Sequence, residues 1–139
     1  MIIVICAYLV AFSINLMPAL KHPDLNMTLL NLIASLIFLT VFFTYARKSD
    51  KKLAVFSLVG MISGIIVFLI TTFESFMFEY AILDVIASIQ YPLYLIFTTP
   101  LFGGNLLINV NYEIFSLLTS LFYLLVYLKF KKANKLSVI

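Results

Sequence analysis

Positions 47–52, Arg-Lys-Ser-Asp-Lys-Lys, hold four of the chain's nine Lys and Arg residues in six places, and they separate two uncharged runs, residues 27–46 and 53–73. Each run is long enough to cross the ~30 Å hydrocarbon core of a bilayer as a helix. A short basic loop between two such runs is retained on the cytoplasmic side, so Arg47, Lys48, Lys51 and Lys52 orient the chain. Counting crossings from that loop then orients every other segment.

Composition agrees with this reading. Of 139 residues, 64% are hydrophobic and 11% charged, with a mean hydropathy of +1.16. Soluble domains run at roughly 45–50% and 25%. A chain of this size cannot bury so much apolar surface in its own core, and the expected class is an all-α, polytopic integral membrane protein forming a single domain over residues 1–139. The net charge of +3 comes from basic residues beside the ends of apolar runs. It reads as an orientation signal and not as a nucleic-acid surface.

Four spans are expected, at about 2–20, 27–46, 53–73 and 112–128. The first lacks the basic n-region of a secretory signal and is read as a retained anchor. A short polar turn, broken by Pro23, joins it to the second, where Asp24 or Asn26 is placed to cap the helix start. Asn15 and Asn31, one on each of the first two spans, can bond across helices. In the third span Gly60 and Gly64 stand four apart on one helix face, extended back one turn by Ser57, a packing face open to a helix of the same chain or of another molecule. The last span begins at Tyr112-Glu113, with the acid at the positive end of the helix dipole, and ends at Lys129, Lys131, Lys132 and Lys135 at the negative end.

Residues 81–102 are apolar and long enough to span, yet two arguments place them otherwise. The basic tail and the basic loop should both be cytoplasmic, which requires an even number of crossings between them, and the third and last spans already supply two. Asp84, Gln90, Pro92 and Pro100 also interrupt the run, and lipid cannot satisfy the backbone groups that proline frees. The expectation is a broken interfacial or re-entrant segment, bent near Tyr91-Pro92. Four spans then give a multi-pass cell-membrane protein, in a bacterial plasma membrane, with the loop, the C-terminus and the N-terminus cytoplasmic.

Function is far less legible. Cys6 and His22 each stand alone, which leaves neither an internal disulfide nor a zinc ligand set, and no pattern of catalytic, metal or cofactor-binding residues occurs. Ionisable, aromatic and helix-breaking residues converge only on residues 74–111. The candidate region is therefore Glu74, Glu79, Asp84, Gln90, Tyr91, Pro92 and Tyr94, with Asp84 the acid expected to be most buried. The reading is a non-enzymatic accessory, immunity or sensor-type protein. Its expected partners are the lipid bilayer, an amphiphilic compound and a membrane protein or second copy meeting the Gly60–Gly64 face, with no cofactor. The alternative is an oligomeric transporter or channel for small solutes, ions or protons, in which Asp84 would be the coupling residue.

Overall fold

The computed structural model describes residues 2–24, 26–46, 51–74 and 81–136. All regular structure among them is helical. The elements are α1 (Ile2–Lys21), α2 (Leu29–Tyr45), α3 (Lys51–Thr72), α4 (Ala81–Ala87), α5 (Gln90–Leu93), a π-helical turn Tyr94–Thr98, a 3-10 turn Thr99–Gly104, α6 (Asn105–Ile108) and α7 (Tyr112–Leu136). Four helical stretches, Ile2–Lys21, Lys51–Thr72, Leu83–Ile108 and Tyr112–Ala133, are long and apolar enough to cross a membrane; Leu29–Tyr45 is apolar but shorter. Their outer surfaces carry Ile, Leu, Val and Phe side chains that no other part of the chain covers.

The long helices form two pairs. In the first, α3 lies antiparallel to α7, because the small residues of α3 admit close approach. A Cβ added at Gly60 would meet the Tyr123 ring at 2.8 Å, and one at Gly64 would lie 2.3 Å from the Ser116 carbonyl oxygen. Ser57 is fully buried on the same face. Of the two partners the sequence leaves open for that face, the chain's own last helix fills it.

In the second pair, α1 packs on α2 through a polar seam that repairs a defect. Pro18 inside α1 has no N–H to give the Ile14 carbonyl, and the Asn31 amide donates to that oxygen at 2.9 Å. The other side of Asn31 serves the start of α2: its Oδ1 accepts from the Thr28 N–H at 2.9 Å and from the Thr28 hydroxyl at 2.8 Å. The cap is therefore Thr28 with Asn31, not Asp24 or Asn26.

Between the pairs runs the segment from Gln90 to Ile108. Its length alone would carry it across a membrane, but its path bends back. At its start Gln90 and Tyr91 lie beside Ala19, Leu20 and Tyr112, at the end of α1 and the start of α7, remote from Lys52 and Lys129. By Ile96 and Phe97 it has descended to the rings of Tyr8, Phe56 and Tyr123. It then rises past Asn15 and Ser35 at Pro100 and reaches the start of α2 at Gly103, where an added Cβ would lie 1.9 Å from the Asn31 carbonyl oxygen. Asn105 closes the exit by bonding both the N–H and the carbonyl of Val110, with Asn109 left-handed at φ 51°.

The segment therefore enters and leaves at one end of the bundle, as the antiparallel α3–α7 pair demands of anything joining Thr72 to Tyr112. The bend lies at Tyr94–Gly104 rather than at Tyr91-Pro92. Pro100 sets it there, since it cannot donate to the Ile96 carbonyl. Hydroxyls and amides of the surrounding helices take over the irregular backbone. The Tyr8 hydroxyl donates to Ile96 O at 3.0 Å and that of Tyr123 to Phe97 O at 2.8 Å. Ser35 donates to Pro100 O at 3.0 Å and Asn15 to the same oxygen at 3.4 Å. Gly103 N–H in turn donates to Ser35 Oγ at 3.0 Å. Buried backbone without such partners would cost about 1–3 kcal/mol per group.

Apart from Lys21 at the end of α1, the described basic residues gather at one end of the bundle. Lys52 shares a groove with Val4 and Ile5, and Lys129 donates to Phe43 O at 3.1 Å while standing over the Phe43 ring. The starts of α1 and α3 and the later turns of α7 thus lie together at a basic end. Lys51, Lys131 and Lys132 occupy these same turns, and Lys135 the last turn of α7. Arg47 and Lys48 fall outside the described residues.

Candidate functional site

At the end opposite Lys52 and Lys129, where Lys21 closes α1, the descending limb of the bent segment does not fill the space between α1, α3 and α7. A half-open cavity of about 200 Å³ remains, lined by Ala19, Leu20, His22, Val67, Gln90, Tyr91, Tyr94, Leu95 and Tyr112. Local sequence explains its shape. The end of α1 offers a small residue, Ala19, at the wall, and Pro23 turns the chain away just beyond His22.

Two of the phenols form a corner. The rings of Tyr94 and Tyr112 meet edge to face at 5.5 Å, and the Tyr94 hydroxyl is anchored on the Ala19 carbonyl at 3.0 Å. Behind Tyr94, Phe102 packs edge-on against both Tyr94 and His22, so the rising limb braces the descending one. Gln90 is 4% exposed, and its Oε1 is buried with no hydrogen-bond partner. An acceptor left in that state costs roughly 1–3 kcal/mol, which a ligand or water donor would recover. The Tyr112 phenol lies within electrostatic reach of Glu74, Glu113 and Tyr91, and Asn111 donates to Glu113 at 3.2 Å.

Of the residues singled out from sequence, the structure brings Gln90, Tyr91 and Tyr94 together in one cavity and sets Glu74 near it. It does not bring Asp84 or Pro92. Asp84 is exposed on α4 rather than the most buried acid, and Pro92 is exposed on α5. Glu79 lies outside the described residues. Sequence reasoning missed Ala19, His22, Val67 and Tyr112, which come from α1 and the turn after it, α3 and α7. Only the parity argument pointed to them, because a segment that turns back must meet the outer ends of its neighbours.

A second polar cluster lies where the bend is deepest. Asn15 donates to Ala11 O, Ser35 Oγ and Pro100 O, yet its Oδ1 and the hydroxyl of fully buried Thr99 have no partner. No group of three or more His, Cys, Asp or Glu residues placed to hold a metal occurs among the described residues. The chain matches no protein-family model, no curated protein and no solved structure.

Proposed function

We propose that this chain is a small multi-pass membrane protein that acts by binding, as an accessory, immunity or sensor-type protein, and that its ligand is an amphiphilic compound received in the cavity at the end opposite the lysine cluster. In this reading α1, α2, α3 and α7 cross the bilayer with the basic end in the cytoplasm, and the bent segment re-enters from the outer side. The observation that carries it is the cavity itself, which joins apolar walls, phenols and one buried, unpartnered amide oxygen at what would be headgroup depth. A nucleophile paired with a base is not among its lining residues.

Purification from native membranes in mild detergent, followed by native mass spectrometry, tests the proposal. A small-molecule adduct should accompany the wild-type protein and be lost when Leu95→Trp fills the cavity. Identical spectra from the two proteins would contradict it.

One observation favours a second reading, transport. Irregular helical backbone at the centre of a bundle, beside the unpartnered Asn15 Oδ1 and Thr99 hydroxyl, is how many transporters build substrate and ion sites. Solute or ion flux in proteoliposomes that Thr99→Val abolishes would support this reading over simple binding.

A further inference from the structure

We infer that the cavity selects an organic cation: an ammonium-type head on a short apolar body. The inference rests on the binding reading above and names the ligand class for the same site. The unpartnered Gln90 Oε1 can only accept, so it calls for a donor or a positive charge. Tyr91, Tyr94 and Tyr112 place three aromatic rings around the same space, and ring faces attract cations.

Charge around the site points the same way. No Lys or Arg lines the cavity, and Glu74 and Glu113 lie within electrostatic reach of Tyr112. Ala19 and Leu20 belong to the last turn of α1, the negative end of its dipole, which Lys21 in the same turn offsets in part. The start of α7 at Tyr112 and the short helical start at Gln90 oppose it, and Glu113 in the first turn of α7 offsets the former. An anionic head would face an end of the bundle where Asp24, Glu74 and Glu113 outnumber Lys21 among the described residues. A neutral alcohol would satisfy Gln90 but gain nothing from the rings and acids.

The test uses the full chain in nanodiscs of zwitterionic lipid, with radiolabelled hexylammonium, whose head keeps its N–H donors, as the probe and empty nanodiscs as the blank. Saturable one-to-one binding is expected, with hexanol and hexyl sulfate displacing the probe at least tenfold less well than unlabelled probe. Gln90→Leu should weaken binding about tenfold, the scale of one hydrogen bond to a charged group, and Gln90→Glu should tighten it by a similar factor. The second variant keeps size and shape, so a purely structural role for Gln90 cannot produce that gain. Equal displacement by all three compounds, with Gln90→Glu without effect, overturns the cation class but leaves a general amphiphile site. Saturable binding that survives Leu95→Trp places the probe elsewhere and overturns the assignment. Absence of saturable binding by any of the three compounds overturns the binding reading itself and leaves Gln90 a water-filled amide.

Discussion

Gly103→Ala should be among the most damaging single-methyl additions in this chain, while the same change one residue later should be harmless. A methyl group at position 103 would lie 1.9 Å from the Asn31 carbonyl oxygen, 2.3 Å from its carbon and 2.8 Å from Leu32 N, all of them backbone atoms. Ordinary contact begins near 3.4 Å, so the rising limb must retreat from α2 by about 1.5 Å. Overpacking of this kind costs roughly 1–3 kcal/mol. The retreat also strains the Gly103 N–H bond to Ser35 and the Ser35 bond to Pro100 O, each worth about 0.5–1.5 kcal/mol. The total expected is about 2–6 kcal/mol.

At Gly104 the nearest atom is the Phe115 ring at 3.6 Å and the backbone is ordinary right-handed helix, with φ −63°. Gly104→Ala should therefore be neutral or stabilise by about 0.4–1 kcal/mol through the unfolded state. Reversible unfolding in mixed micelles, followed by circular dichroism across an SDS titration, reads both. Equal midpoints for the two variants would refute the close approach of the bent segment to α2.

Three further predictions use the same assay. Gly64→Val should separate α3 from α7, since even a Cβ meets the Ser116 carbonyl at 2.3 Å and Ser120 Cβ at 2.8 Å; an unchanged midpoint would contradict the pairing. Asn15→Leu and Ser35→Ala share Pro100 O as acceptor, so their double-mutant cycle should show coupling of about 0.5–3 kcal/mol, and strict additivity would argue against one network. Tyr8→Phe leaves the Ile96 carbonyl without the hydroxyl it accepts from and should cost about 0.5–1.5 kcal/mol, an effect that a merely apolar contact would not show.

How much of this was legible from sequence differs between levels. The apolar runs and their order follow from hydropathy, and the return of the bent segment follows from counting basic flanks. Where the chain bends did not follow. Pro92 and Pro100 look alike in sequence, and only Pro100 has Tyr8, Asn15, Ser35 and Tyr123 arranged around it to serve the freed backbone. Likewise Asn31 reads as a polar position in a span, but its task of repairing the Pro18 defect in α1 depends on the register of two helices, which no local pattern encodes. At the candidate site the local cluster Gln90-Tyr91-Tyr94 was visible. Asp84 misled because apolar neighbours in sequence suggest burial, whereas Val85, Ile86 and Ile89 are themselves exposed.

The central claim is that residues joining α3 to α7 leave and return on one side of the membrane. Single cysteines at Asp84, Asn111 and Lys131, all exposed positions, in a Cys6→Ser background would be probed with a membrane-impermeant thiol reagent on intact cells. Labelling of positions 84 and 111 from outside, with position 131 reached only after permeabilisation, is the predicted result. Positions 84 and 111 reporting opposite sides would mean that the segment crosses, and the account would fail.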